Sequence, residues 1–362
     1  MKVVKTYIFL IISLTMILLS SCHHRKENVI YDDNFFLGVI ETTGQENKSF
    51  LTFYDEELNK KSSIEMDYGS MGSYFDLPKV FENSLYVIPK GLGNLKEMTS
   101  VLKFDFKTGE HSLYDIGEPN MNSFCVDNNF IYTVNTLNGN SIISRFDKKT
   151  HSIEKLKLNK TFIGKLDIYN GILYGFGFRD TDDLGMESSL YIINPDTLSI
   201  VEEIDITKHG QDQLGSLLNG DTMYFTNSLK YVAGNGEVKA ATLSELNIND
   251  NSITSIELEE YYPFQVLEYE GKLFISHFNL VLGEGNKLTI YDPLLNETIT
   301  TLSFDHNVAQ IEIKDNNIYI SDGKDLYAYK IVDTSLELVK VVDISTKETE
   351  ESYFYVSGFF IK

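Results

Sequence analysis

Several polar side chains in this chain stand where an apolar one is expected. Ser123, Lys165, Gln265, Gln310 and Glu351 each open a stretch that otherwise reads as a buried strand, and Asp76, Asn122 and Gln213 stand beside such openings. Hydroxyl, amide, ammonium and carboxylate groups of this mixture suit hydrogen bonding to a polar ligand and carry no nucleophile–base pattern. The competing reading is that strand ends are polar because they are wet. A second candidate is the acidic stretch Arg179 to Glu187, whose Asp180, Asp182, Asp183 and Glu187 could offer oxygen ligands to calcium. It lacks the D-x-D-x-D-G spacing, so a solvated acidic loop is the reading, and no metal is assigned. His111, His151, His209, His277 and His306 share no repeated position; His277 and His306 merit attention because each lies near a strand end beside a loop. There is no G-x-S-x-G, no H-E-x-x-H and no Gly-rich phosphate loop after a strand, so no catalytic residue and no cofactor is assigned.

What must position these groups is a repeat. One aromatic position recurs along the chain as Tyr86, Tyr132, Tyr174, Tyr224, Phe274, Tyr319 and Phe360, at spacings of 46, 42, 50, 50, 45 and 41 residues. Each is preceded by a hairpin-type pair: Asn83-Ser84, Asn128-Asn129, Asn170-Gly171, Asn219-Gly220, Glu270-Gly271, Asn316-Asn317 and Ser357-Gly358. Asn and Gly tolerate the positive φ such turns need. About twenty residues later a strand ends in Asp or Asn, a polar turn follows and another strand begins, as in LKFDFKTGEHSLYDI and LTIYDPLLNETITTLSF. Four short strands per period of roughly 40–45 residues is the signature of a β-propeller; a sandwich is the competing architecture. The stretch Phe124 to Leu158 shows the whole unit, and the candidate polar residues fall nine positions before the aromatic in successive units, or next to that place.

The run Tyr132-Thr133-Val134-Asn135, with Phe146-Asp147-Lys148-Lys149-Thr150 behind it, resembles the seven-bladed propellers of the YVTN and quinoprotein-like kind. The resemblance spans nearly all of the chain and is generic. With no Trp, the chain lacks the tryptophan motifs of pyrroloquinoline quinone enzymes and of WD40 repeats. It implies an all-β fold with ligand sites on one face around a central channel.

The repeat divides the chain into blades at about 29–68, 75–117, 121–158, 162–206, 213–258, 262–304 and 307–345. Residues 352–361 look like the start of a unit never finished. A ring must close, and an open sheet edge is a liability. The C-terminal strand is therefore expected to pair into the N-terminal blade, giving seven blades of four antiparallel strands; eight blades is the alternative. Cys125, in a predicted inner strand, reads as a small buried residue.

The N-terminus is a separate object. Lys2 and Lys5 precede the apolar run Tyr7 to Leu19, too short for a spanning helix, and Leu19-Ser20-Ser21-Cys22 resembles a bacterial lipobox. The organisation read is a signal peptide over 1–21, a lipidated Cys22, a tether over 22–33 and a propeller over 34–362. Lipid on Cys22 would hold the protein on the outer side of a membrane in the bacterial cell envelope. Losing Lys2 and Lys5 from 31 basic residues, against 53 acidic ones, leaves about −24, which argues against nucleic acid as a partner. The function expected is binding of a protein, glycan or small molecule on the channel face. A propeller enzyme (lactonase, lyase or quinoprotein-like) and an envelope-complex scaffold are the alternatives, since fold alone does not imply function.

Overall fold

A computed structural model describes residues 31–72, 76–91, 95–180, 185–232, 234–347 and 352–362. The signal, Cys22, Glu351, Asp182 and Asp183 therefore lie outside the described residues, as does all of the tether but residues 31–33.

Seven four-stranded antiparallel sheets follow one another around a ring. Blade one contributes β1 (Leu37–Thr42), β2 (Ser49–Tyr54) and β3 (Lys60–Met66). Blade two has β4 (Lys79–Phe81), β5 (Ser84–Val87), β6 (Ser100–Asp105) and β7 (His111–Asp115), with a one-turn helix α1 (Leu95–Met98) between β5 and β6. Blade three is β8 (Met121–Val126), β9 (Phe130–Leu137), β10 (Asn140–Asp147) and β11 (Ile153–Leu158). Blade four is β12 (Phe162–Tyr169), β13 (Ile172–Asp180), β14 (Met186–Asn194) and β15 (Ser199–Asp205). Blade five is β16 (Ser216–Asn219), β17 (Thr222–Val232), β18 (Gly236–Asn247) and β19 (Ile253–Glu257). Blade six is β20 (Pro263–Tyr269), β21 (Lys272–Asn279), β22 (Glu284–Asp292) and β23 (Glu297–Ser303). Blade seven is β24 (Gln310–Lys314), β25 (Asn317–Ser321), β26 (Asp325–Val332) and β27 (Ser335–Asp343). The last strand, β28 (Tyr355–Ile361), pairs antiparallel with β1 and becomes the innermost strand of blade one. The ring is thus closed by the two ends of the propeller, as the unfinished unit at 352–361 led one to expect.

Local chemistry accounts for the strand ends. The Oδ1 atoms of Asp105, Asp147, Asn194 and Asp292 each accept backbone N–H groups two and three residues on, at 2.7–3.2 Å. These Asx turns reverse the chain between third and fourth strands. The long segments after the second strands of blades four and five are strand more than loop. β13 and β14 stay paired out to Asp180↔Met186, and β17 and β18 out to Val232↔Gly236. The outer end of the acidic stretch is held this way, and Arg179 Nε reaches Glu187 Oε2 at 3.0 Å.

Among the described residues the core forms seven larger clusters, one per interface between neighbouring blades, and a small eighth of Phe264, Phe278 and Ala309. Each of the seven contains one member of the aromatic column: Tyr86, Tyr132, Tyr174, Tyr224, Phe274, Tyr319 and Phe360. All seven are at most 5 % exposed. One differs in its strand. Six column residues sit on second strands, opposite Lys79, Cys125, Asp167, Leu217, Leu267 and Glu312 of the innermost strands. Phe360 is on an innermost strand and faces Gly38. The second-strand place in blade one is empty of side chain, and a Cβ on Gly38 would lie 2.2 Å from the Phe360 ring. The ring therefore fills the column from the neighbouring strand. Ser357-Gly358 accordingly forms no turn but lies within β28, and the position equivalent to Ser123 and Gln310 in blade one is Gly358.

Candidate ligand recess at the channel mouth

The innermost strands line the channel, and the polar residues that open them face one another there. Gln265 Oε1 accepts Ile311 N–H at 2.8 Å, and its Nε2 donates to Ile311 O at 3.4 Å. Gln310 makes the same pair of bonds to Phe359, at 2.9 and 2.7 Å. Ser123 Oγ accepts Leu166 N–H at 3.2 Å and donates to Asp76 Oδ1 at 3.1 Å. In each case a side chain of one blade satisfies the innermost strand of the next, where twist separates the backbones too far for a ladder. Gln265, Gln310 and Ser123 are thus engaged in joining blades.

Deeper in the channel, Asp76, Lys79, Lys165, Ser216, Gln265 and Glu312 line a space of about 180 Å³. Lys79 Nζ is 3.5 Å from Asp76 Oδ1, and Lys165 Nζ is 3.1 Å from Asp167 Oδ2, which Ser216 Oγ also reaches. Burial opposes the Lys79 ammonium but is outweighed by Asp76 and Asp167, which hold it above its ordinary value. Burial pushes the Asp76 carboxyl up, against the pull of Lys79 and Lys165. Asp76 Oδ2 is buried with no hydrogen-bond partner. Glu312 is half-buried where it lines this space, and desolvation by the surrounding protein pushes its carboxyl up to about 7.

Above this space, sharing Lys165 and Leu214 with it, a recess of about 220 Å³ opens where the innermost strands of blades three to five begin. Its lip is Phe162 and Phe178, ring centroids 4.9 Å apart at 31°, and Phe162 is 36 % exposed. Two glycines shape the recess. Gly164 is the bulged residue between Ile163 and Lys165, and a Cβ there would meet only the Phe162 ring at 3.2 Å. A Cβ on Gly177 would lie 2.3 Å from Phe162 O, so only glycine lets β13 pass this close to the bulge. Asn122, Gln213, Asp212, Lys90 and Lys165 supply the polar wall. Asn122 Nδ2 donates to Thr136 Oγ1 at 2.9 Å and Ile163 O at 3.0 Å; Gln213 Nε2 donates to Gly210 O at 3.1 Å and Asn227 Oδ1 at 2.9 Å. Of the sequence candidates, the recess gathers Asn122, Lys165 and Gln213, and the deeper space gathers Asp76, Lys165 and Gln265; Gln310 and Ser123 line neither.

His277 and His306 do meet, in a larger cleft of about 770 Å³ between blades six and seven, with Tyr261, Phe304 and Tyr327. His277 Nδ1 donates to Tyr261 O at 3.1 Å and its Nε2 contacts Thr289 Oγ1 at 2.8 Å; burial pushes its imidazole down to about 4. His306 Nδ1 donates to Asn307 O at 2.8 Å, its Nε2 contacts Tyr329 Oη at 2.7 Å, and its ring stacks on Tyr327 at 3.6 Å. All four ring nitrogens have hydrogen-bond partners within the protein. Cys125 is buried in β8, and burial pushes its thiol well up, away from the reactive thiolate. Among the described residues, no group of three or more His, Cys, Asp and Glu is placed to hold a metal ion.

No protein-family model matches the chain, and no curated protein resembles it. Solved structures do. A functionally unknown protein from Desulfotomaculum acetoxidans aligns with a TM-score of 0.62 at 12 % identity, over 90 % of this chain and 98 % of that one. A putative 6-phosphogluconolactonase from Bacteroides uniformis aligns at 0.60 and 11 %, over 91 % and 100 %. BamB from Moraxella catarrhalis aligns at 0.51 and 9 %, over 90 % of each chain. Identities this low establish the shared architecture and nothing more specific: the chain is a seven-bladed β-propeller similar in fold to lactonase-like and BamB-type propellers.

Proposed function

We propose that this protein is a lipid-anchored, extracytoplasmic binding propeller that takes a small ligand at the mouth of its central channel. The observation that carries the reading is the recess itself. Strands hold two aromatic rings and a set of amide and charged side chains around a concavity left open at Gly164, and such concave, partly apolar places with a few convergent polar groups are where small ligands bind. The anchor rests on Lys2, Lys5, the apolar run and the Leu19-Ser20-Ser21-Cys22 sequence. Similar propellers include one described as a putative 6-phosphogluconolactonase; the binding reading rests on the recess and not on the histidines.

Two experiments test the halves separately. A Gly164→Leu variant fills the recess from the bulge; any ligand that raises the melting temperature of the wild type is expected to lose that effect in the variant, and an unchanged shift would place binding elsewhere. Cys22→Ala is expected to leave unprocessed or soluble protein in cells. A variant that is processed normally and stays in the membrane fraction contradicts the anchor.

A further inference from the structure

We propose that the ligand of the channel-mouth recess is a neutral polyhydroxylated ring of monosaccharide size, an inference that rests on the binding role proposed above. Size comes first. At about 220 Å³ the recess holds about seven waters at ~30 Å³ each, and it is smaller than the roughly 300–1,000 Å³ that encloses a drug-sized ligand. One six-membered ring fits, with the deeper channel space left to solvent.

Shape and polarity narrow the chemistry. Phe162 and Phe178 present a wall of ring carbon at the lip, which suits the C–H face of a ring rather than a fully solvated ion. Opposite them, the protein's own bonds have used the donors and left the acceptors. Both amide nitrogens of Asn122 and Gln213 point into backbone and side-chain partners, while Asn122 Oδ1, Gln213 Oε1 and the Asp212 carboxylate accept no hydrogen bond among the described residues. A matching ligand must bring several donors. Charge then decides between an ammonium and hydroxyls. Lys90 and Asp212 give the rim one group of each sign without pairing, burial and the nearby Glu237 push the Asp212 carboxyl up to about 6, and Lys165 is tied to Asp167 at 3.1 Å. No excess of either sign remains to select a phosphate or an amine. Hydroxyls meet all three conditions: they donate to the free oxygens, accept from the lysines and carry no charge.

The test is titration of the full-length chain in a non-glycosidic detergent, followed by saturation-transfer NMR. The probes are D-glucose, D-galactose, D-mannose and myo-inositol, with glucose 6-phosphate and glucosamine as charged counterparts. At least one neutral probe is expected to bind saturably and more tightly than its charged counterparts, with affinity reduced tenfold or more by Gly164→Leu and by Phe162→Ala. Phe162 is exposed enough that the second variant stays folded if the first does not. Saturable binding of only the phosphorylated or amino sugar, lost in Gly164→Leu, overturns the ligand class and leaves the channel-mouth reading standing. Sugar binding unaffected by both variants overturns the location. Absence of binding by every probe to folded wild type overturns the sugar assignment.

Discussion

Two phenylalanine–glycine pairs in this propeller do opposite things. In blade one, the Phe360 ring lies over Gly38, where every other blade carries an aromatic side chain on its second strand, and it is 2 % exposed. In blade four, Phe162 stands beside Gly164 and Gly177 at the channel mouth and stays 36 % exposed. Gly38 makes room that the Phe360 ring fills; Gly164 leaves room beside Phe162 that the protein does not fill, while Gly177 lets the β13 backbone pass close to the bulge. Where a gap is filled by the chain's own ring, the residue belongs to folding. Where rigid strands hold a gap open beside unspent hydrogen-bond acceptors, it is available to a ligand.

The comparison can be broken first at the closing blade. Deleting residues 352–362 removes the innermost strand of blade one and exposes both β1 and the cores on either side. The expected result is loss of cooperative folding of the entire ring, read by chemical denaturation; an unchanged midpoint would show that closure does not depend on β28. Phe360→Ala keeps the strand but empties the column, and truncating a buried Phe costs about 3–5 kcal/mol. Gly38→Ala drives a Cβ into the same ring, 2.2 Å away, with an overpacking cost of about 1–3 kcal/mol. Phe162→Ala, by contrast, is expected to change stability by less than ~1 kcal/mol, as for a partly exposed side chain, while removing ligand binding. Equal destabilisation by Phe162→Ala and Phe360→Ala would erase the distinction between the pairs.

The smallest effect concerns the deep channel. Glu312 has a folded-state value near 7 against an ordinary 4.5, so the folded protein holds this proton more tightly than the unfolded chain. Its contribution to stability is fully present below about 4.5 and is lost as pH rises toward about 7. Glu312→Gln is therefore expected to gain stability relative to wild type as pH goes from 5 to 7.5, measured by denaturation midpoints. A difference between the two proteins that stays constant with pH would contradict the desolvated carboxyl.

The column and all of its turns except Ser357-Gly358 were legible because period-2 strands with one fixed aromatic leave a repeated pattern. Phe360 was legible as a column member but not as to strand. FFI reads like MYF, and only pairing with a segment more than 300 residues earlier places it on an innermost strand. The polar openings of the innermost strands were visible from position, and Asn122, Lys165 and Gln213 do border the recess. Gln265, Gln310 and Ser123 looked identical in the sequence, yet they hold the next blade's backbone. Lys90, Asp212, Phe162 and Phe178 were missed, since a recess is made by what is absent. Its trace in the sequence is the spacing of Gly164 after Phe162 and of Gly177 before Phe178, since glycine inside a strand marks a bulge or a close backbone approach.

The most direct measurement is a crystal structure of the protein soaked with a neutral hexose that binds in solution. The account predicts a ring seated against Phe162 and Phe178, with hydroxyls within hydrogen-bond distance of Asp212, Asn122 Oδ1 and Gln213 Oε1. Density for the sugar in the cleft beside Tyr261 and Tyr327, with the recess holding only water, would contradict it.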